Sequence, residues 1–139
     1  MMQYVVGFLF APERDWVALI KKNRPEWAAG RLNGPGGKVE PGESWEAAMR
    51  REFREETGVD LPEMEWEHTV TIQSDKFECR FFRSVSDQAY NVLSMTDEAV
   101  SLVWVNSMDR ANVVPNLRWL IPLQLEKGIK FPLAPIWED

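Results

Sequence analysis

Three glutamates, Glu52, Glu55 and Glu56, are the residues whose type and spacing most clearly suggest chemistry. At positions i, i+3 and i+4 of a helix, their carboxylates share one surface and repel one another. A divalent cation relieves this repulsion, and oxygen ligands without histidine or cysteine favour Mg²⁺ or Mn²⁺ over zinc. The alternative is a solvated acidic face paired with arginines, and helix geometry alone leaves both interpretations open.

The stretch that holds these glutamates, residues 37–59, is typical of a glycine-rich loop that leads into a helix. Ser44 is a suitable N-cap, and Gly58 suits the left-handed position just past the last turn. Helical periodicity gives one apolar stripe, formed by Trp45, Ala48, Met49 and Phe53. Glu52 and Glu56 project into this stripe, where an unpaired carboxylate is costly. A bound cation or a paired arginine would remove that cost.

The fixed positions of the same stretch resemble the complete Nudix box, the signature of hydrolases that cleave nucleoside diphosphates linked to another group. The matching residues are Gly37, Glu43, Arg51, Glu52, Phe53, Glu55, Glu56, Gly58 and Val59. The resemblance implies a Mg²⁺ (or Mn²⁺) cofactor. Its ligands would be the carboxylates of Glu52, Glu55 and Glu56 and the backbone carbonyl of Gly37.

The resemblance also implies which residues take part in catalysis. Glu52 or Glu55 takes the proton from the attacking water, and the family leaves the choice between them open. Glu43 and Arg51 pair in the family and brace the loop against the helix; the alternative is a simple surface salt bridge. Some members carry a further metal-binding or basic glutamate in a polar loop before a strand, and Glu98 is our candidate. The alternative for Glu98 is an exposed loop acid.

Residues 28–39 resemble the segment of Nudix enzymes that hydrolyse nucleoside triphosphates, including those that remove oxidised purine nucleotides. The resemblance implies that Asn33 reaches the base. We predict that Trp27 stacks on the base. Four nearby cations, Lys22, Arg24, Arg31 and Lys38, could meet phosphate, and the alternative for each is a solvated surface charge. We select Lys38 because it lies inside the loop.

The similarity continues to the start of the last predicted helix, where the sequence departs from the pattern. Val114 stands where an aromatic residue should sandwich the base, and Asn116 and Leu117 stand where two acids are expected. We keep Asn116 as a substrate-binding candidate. Residues 73–76 hold neither the proline typical of ADP-ribose enzymes nor the tyrosine typical of dinucleoside polyphosphate enzymes.

The predicted function is metal-dependent hydrolysis of a nucleoside triphosphate to the monophosphate and pyrophosphate, with oxidised or non-standard nucleotides among the candidate substrates. One alternative is a hydrolase of a nucleoside diphosphate linked to a sugar or another group. A second alternative is a non-catalytic nucleotide-sensing module, which the intact set of glutamates disfavours.

The elements that must position these residues follow from hydrophobic patterning. Strands are expected at residues 3–10, 16–21, 38–39, 65–74, 76–84 and 102–105. A second helix is expected at 116–127, with a late start or a kink at Pro122. The tail beyond it is predicted to be irregular. This order favours an α/β fold, an α/β/α sandwich on a mixed β-sheet, and the Nudix resemblance implies the same fold.

Length and charge limit the remaining possibilities. A chain of 139 residues is expected to form one domain, 1–139. The net charge of −6 disfavours binding to a nucleic acid polymer but not to a mononucleotide. No signal peptide, transmembrane run or lipidation motif is found, so we expect a cytoplasmic protein without a membrane partner. We expect a monomer or a homodimer.

Overall fold

A mixed sheet of eight strands forms the centre of the computed structural model, which describes all residues from Met1 to Asp139. The strands are β1 (Met2–Phe10), β2 (Trp16–Lys21), β3 (Leu32–Asn33), β4 (Gly36–Lys38), β5 (Glu67–Gln73), β6 (Phe77–Val85), β7 (Val100–Trp104) and β8 (Ile136–Trp137). Their order is β3-β2-β1-β6-β5-β8, with β4 paired to β1 and β7 paired to β2. The pairs β1–β6 and β5–β8 are parallel and the others are antiparallel.

Alternate residues of β1 face two separate hydrophobic cores, as the two-residue period of a strand requires. Phe8 and Phe10 pack in the core that contains the residues of helix α2 (Leu117–Leu125). Val5 and Leu9 pack in the core that contains the residues of helix α1 (Trp45–Thr57). One helix therefore covers each face, and the predicted α/β/α sandwich is confirmed.

Helix α1 begins and ends where its capping residues predict. The Ser44 hydroxyl accepts a hydrogen bond from the N–H of Ala47 at 3.1 Å. Gly58 adopts a left-handed conformation with φ of 78°. The helix lies close to the sheet because Gly7 of β1 has no side chain; a Cβ there would be 2.7 Å from Cε of Met49. This close packing holds the acidic face of α1 beside the edge of the sheet.

The main differences from the sequence-based expectations lie in short elements. The segment between β2 and β4, where no helix or strand was expected, contains a 3₁₀ turn, Glu26–Ala28, and the two-residue strand β3. Helix α2 contains Pro122 rather than starting after it. No helix in the structure combines the length and the apolar character needed to span a membrane.

The prediction of an irregular tail is wrong at its end, where Ile136 and Trp137 form β8. This strand pairs with β5, and the N–H of Glu138 donates to the carbonyl of Gln73 at 2.8 Å. The pairing satisfies backbone groups that an edge strand would otherwise leave open. Two residues after a proline carry no periodic signal, so the sequence alone does not reveal this strand.

Candidate active site

Two glycines of β4 lie against two of the box glutamates. At Gly37, an added Cβ would be 2.5 Å from Cδ of Glu52, so only glycine permits this approach. The N–H of Gly36 donates to Oε2 of Glu56 at 3.2 Å. A Cβ on Gly36 would collide with the carbonyl of Val5, because β4 pairs tightly with β1. The glycine-rich loop therefore fixes both carboxylates at the edge of the sheet.

Arg51 connects the loop to α1 through a two-pronged ion pair. Its Nε donates to Oε2 of Glu43 at 2.7 Å and its Nη2 donates to Oε1 at 2.9 Å. The same Nη2 also donates to the carbonyl of Lys38 at 3.0 Å. The hydrogen bond from Arg51 lowers the pKa of the Glu43 carboxyl. Bidentate, charge-assisted pairs are among the stronger hydrogen bonds in proteins, so this pair differs from an exposed salt bridge.

The Nη1 group of Arg51 also engages the acidic face. It donates to Oε1 of Glu52 at 2.8 Å and lies 3.4 Å from Oε2 of Glu55. Burial raises the pKa of Glu52, while Arg51 opposes that rise. No three acidic side chains lie close enough together to form a metal-binding cluster. Glu52 and Glu55 are paired with Arg51, and Glu56 is hydrogen-bonded to β4. Pairing with Arg51 thus balances part of the negative charge of Glu52 and Glu55.

Glu56 is the carboxylate whose charge is least balanced. Burial raises its pKa to about 7, with Lys22 opposing the rise and the charges of Glu52 and Glu98 adding to it. A hard divalent cation would remove both the desolvation cost and the repulsion, and oxygen donors alone suit Mg²⁺. Glu56 and Glu52, which both contact β4, offer only oxygen donors, the chemistry that such an ion requires. Glu55 is 52% exposed and stands at the periphery.

Glu98 is buried, with 5% of its surface exposed, so the alternative of an exposed loop acid is wrong. Its Oε1 pairs with Nζ of Lys22 at 3.2 Å, and its Oε2 accepts the N–H of Asn23 at 2.6 Å. The loop that carries it is tied to α1, because the N–H of Met95 donates to the carbonyl of Glu56 at 3.4 Å. These bonds hold Glu98 beside the box carboxylates.

A cavity of about 800 Å³ opens on the α2 side of the sheet, next to β4. Its floor consists of side chains from β1, β5 and β6: Tyr4, Val6, Ile72, Phe77, Cys79 and Phe81. Gly36 and Gly37 also line it. The cavity and the carboxylates of α1 therefore meet at the same short strand.

Three of the predicted substrate-binding residues, Asn33, Trp27 and Asn116, line this cavity. Oδ1 of Asn33 accepts the N–H of Gly34 at 2.8 Å, which leaves the amide hydrogens of Asn33 available. Oδ1 of Asn116 is buried without a hydrogen-bond partner. Asn33 therefore offers a free donor to the cavity, whereas the Oδ1 of Asn116 is shielded from it. Trp27 is 62% exposed.

The structure does not bring Lys38 to the cavity. Its side chain is exposed, and only its carbonyl takes part, as an acceptor for Arg51. Lys22 lines the cavity instead, together with Arg31. A phosphate contact for Lys38 stays a prediction, while Lys22 follows directly from β2 into the cavity wall.

At the start of α2, Asn116 is the one polar side chain that lines the cavity. Val114 lines it and is 5% exposed, whereas Leu117 is fully buried in the core. A residue that sequence reasoning missed, Glu138, also lines the cavity from the end of the chain. Its position depends on β8, which has no sequence signature.

Comparisons with known proteins agree with this architecture. A family model, the NUDIX domain, matches residues 2–123. A MutT structure from work on the Aliivibrio salmonicida and Vibrio cholerae proteins is 24% identical, with a TM-score of 0.73, covering 87% of this chain and 94% of that chain. The MutT protein of Methanosarcina mazei Go1 is 17% identical, with a TM-score of 0.71, covering 92% of this chain and 96% of that chain. The NUDIX domain of Shewanella oneidensis NrtR, complexed with ADP ribose, is 17% identical, with a TM-score of 0.73, covering 93% of this chain and 89% of that chain.

Proposed function

We propose, since the chain belongs to the NUDIX domain family, that it hydrolyses a nucleoside triphosphate to the monophosphate and pyrophosphate. The observation that supports this proposal best is the junction at β4. On one side of this strand Gly36 and Gly37 contact Glu56 and Glu52. On the other side the same glycines line the cavity of about 800 Å³. A nucleotide in the cavity would direct its phosphates toward the carboxylates.

The cavity wall offers positive charge near this junction. Lys22 pairs with Glu98 and acts electrostatically on Glu56, so a phosphate that enters here meets a cation beside the carboxylates. Arg31 lines the cavity near Lys22, and the N–H of Lys22 donates to the carbonyl of Arg31 at 2.9 Å. These side chains would neutralise and orient the phosphate chain, as phosphoryl transfer requires.

The box residues would hold the metal and the attacking water. Glu52, Glu56 and the Gly37 carbonyl would hold Mg²⁺ or Mn²⁺, with Glu55 and Glu98 as further candidate ligands. When bound, the metal neutralises phosphate charge and makes a water molecule more acidic. Glu52 or Glu55 would accept the proton from that water. Their contacts with Arg51, at 2.8 and 3.4 Å, orient both carboxylates along α1.

Asn33, Asn116 and Trp27 line the cavity and would bind the base. The free amide hydrogens of Asn33 would donate to an acceptor on the base edge, and Asn116 lines the cavity beside them. Trp27 would stack on one face of the base. Val114 offers no aromatic surface for the opposite face, so selectivity among bases should be modest.

A panel of nucleoside triphosphates, with pyrophosphate and phosphate measured separately, tests the proposal. We expect equal amounts of monophosphate and pyrophosphate and no inorganic phosphate from the wild-type protein in Mg²⁺. Release of phosphate together with a nucleoside diphosphate would contradict the assigned cleavage position. A preparation of Glu56→Gln serves as the control for contaminating phosphatases.

A second candidate function is hydrolysis of a nucleoside diphosphate linked to a sugar or another group. The size of the cavity supports it, because the cavity extends from β4 as far as Glu138 beside β8. The NrtR domain that shares the fold was crystallised with ADP ribose. Including ADP ribose and nucleoside diphosphate sugars in the panel separates the two candidates: a higher kcat/KM for these compounds than for every triphosphate would favour the second.

A further inference from the structure

The segment 94–98 connects helix α1 to the cavity wall. On one side, the N–H of Met95 donates to the carbonyl of Glu56 in the last turn of α1, at 3.4 Å. On the other side, the carbonyl of Asp97 accepts a hydrogen bond from Nδ2 of Asn23 at 3.0 Å. The segment therefore lies between the carboxylates of the box and the residues that follow β2.

Both carboxylate oxygens of Glu98, within this segment, are already bonded inside the protein. Oε1 lies 3.2 Å from Nζ of Lys22, and Oε2 accepts the N–H of Asn23 at 2.6 Å. Only 6% of the Glu98 side chain is exposed, and it does not line the cavity. A metal ion bound to this carboxylate would lie beside the ammonium of Lys22 and would be repelled by it. These contacts suit a residue that acts through Lys22 better than they suit a metal ligand.

The ammonium of Lys22 has two acidic neighbours. Lys22 lines the cavity, and its pairing with Glu98 uses one of three N–H donors, which leaves two for a phosphate. Burial raises the pKa of Glu56, and Lys22 is the charge that most strongly opposes this rise. Because a lysine carries its charge on a flexible four-carbon side chain, the ammonium can pair with either carboxylate.

We propose that Glu98 is a positioning residue that keeps the ammonium of Lys22 at the cavity and away from the carboxylate of Glu56. The inference rests on the proposed function, in which Glu56 holds the metal and Lys22 meets the phosphates. Without the charge of Glu98, Lys22 pairs with Glu56, the other acidic group whose charge it balances. A metal ion then has to displace the ammonium, and the phosphates lose a donor. Loss of the Glu98 charge therefore weakens the binding of metal and of phosphate together.

The Kd of Mg²⁺ in the absence of nucleotide, measured by isothermal titration calorimetry, tests this role. We expect Glu98→Gln to raise this Kd about tenfold, because the freed ammonium competes with the metal for Glu56. The double variant Lys22→Met/Glu98→Gln has no ammonium to compete, so its Kd should return to within about twofold of wild type. A metal ligand would behave differently, since the double variant would still lack it. A Kd that stays weakened in the double variant would overturn the inference, and so would a wild-type Kd in Glu98→Gln.

Steady-state kinetics give a second readout, which a purely structural role of Glu98 would not move in this way. At saturating Mg²⁺ we expect Glu98→Gln to raise KM for a triphosphate about tenfold while kcat changes less. The double variant should have the KM of Lys22→Met, because Glu98 acts only through Lys22, and effects that multiply would contradict the inference.

Asp97→Asn is the matched control for both measurements. It removes the same charge one residue away, from an exposed side chain that pairs with Arg24 at 3.0 Å. An exposed pair of this kind contributes little, so the Kd of Mg²⁺ and the KM should both stay at their wild-type values. Changes equal to those of Glu98→Gln would show that negative charge in the segment, rather than the contact with Lys22, determines the effect, and would overturn the inference.

Folding of the variants is checked by circular dichroism. The amide oxygen in Glu98→Gln can still accept the N–H of Asn23, and the double variant replaces a buried ion pair by neutral groups, which proteins tolerate. If Glu98→Gln alone does not fold, the double variant carries the test: a Kd near that of wild type supports the role, and a weakened Kd refutes it.

The calorimetric measurement separates failure of this inference from failure of the proposed function. If no triphosphate yields pyrophosphate, the proposed function fails, but the Kd of Mg²⁺ still tests Glu98 because it requires no turnover. A wild-type protein that does not bind Mg²⁺ would overturn the inference together with the metal assignment.

Discussion

Replacing Glu56 by glutamine should stabilise the metal-free protein at alkaline pH while abolishing its activity. Burial raises the pKa of this carboxyl from 4.5 to about 7. The folded state therefore holds the proton more tightly than the unfolded state, and stability falls as the pH rises from about 4.5 to about 7. At about 1.4 kcal/mol per pKa unit, ionisation of Glu56 costs at most about 3 kcal/mol at pH 8 and nothing at pH 4.

Glutamine removes that cost and keeps the local geometry, because its carbonyl oxygen can still accept the N–H of Gly36. The free energy of unfolding is measured by urea denaturation in chelator at several pH values, with tryptophan fluorescence as the signal. We expect Glu56→Gln to exceed wild type by about 2–3 kcal/mol at pH 8, with the difference vanishing near pH 4. Glu55→Gln is the matched control, since its side chain is 52% exposed and should change stability little.

Addition of Mg²⁺ should reduce or reverse this difference. A ligand at 100 times its Kd stabilises the folded state by about 2.7 kcal/mol, and only the wild-type protein retains the full set of carboxylates. A wild-type protein that is as stable as Glu56→Gln at pH 8 in chelator would refute the reasoning. Equal stabilisation of the wild-type protein and Glu56→Gln by Mg²⁺ would also refute the reasoning.

Three further predictions concern residues around the same site. Arg51→Ala should lower the free energy of unfolding by about 2 kcal/mol and should also lower kcat, because it leaves the paired carboxylates without their donor. Arg54 is exposed and its side chain is unpaired, so Arg54→Ala should change neither quantity. Equal effects of the two substitutions in denaturation and rate assays would remove the special role of Arg51. Asn33→Ala should raise KM and flatten the preference among purine and pyrimidine triphosphates with less effect on kcat; an unchanged ranking would show that Asn33 does not contact the base. Lys22→Ala should raise KM for a triphosphate about tenfold while Lys38→Ala changes it less than about twofold, and the reverse order would restore the sequence-based choice.

The helix of the box could be predicted from sequence because its determinants are local. Ser44 and Gly58 cap it, and the spacing of its apolar residues defines the buried face. The contacts of the glutamates with β4 could not be predicted in detail, since they depend on how tightly Gly36 and Gly37 pack. The alternation of β1 and β6 likewise predicted a sheet, but the strand order depends on long-range pairing.

The parts of the site that the sequence left open or missed depend on contacts between distant segments. Glu98 is buried because Lys22 and the N–H of Asn23, about 75 positions earlier, supply its donors. Lys38 was preferred over Lys22 because proximity to the box was the only criterion that the sequence offered. Glu138 reaches the cavity through the two-residue strand β8, which has too few residues to show a period.

Release of pyrophosphate from a nucleoside triphosphate during a Mg²⁺ titration, in wild type and Glu56→Gln, is the most direct test of the metal-dependent assignment. We predict no release in chelator, saturable activation of the wild type by Mg²⁺, and loss of at least about two orders of magnitude in kcat in Glu56→Gln. Circular dichroism and urea denaturation of the variant establish that it is folded. Full pyrophosphate release in chelator, or wild-type turnover in folded Glu56→Gln, would contradict the assignment of these carboxylates to a catalytic metal site.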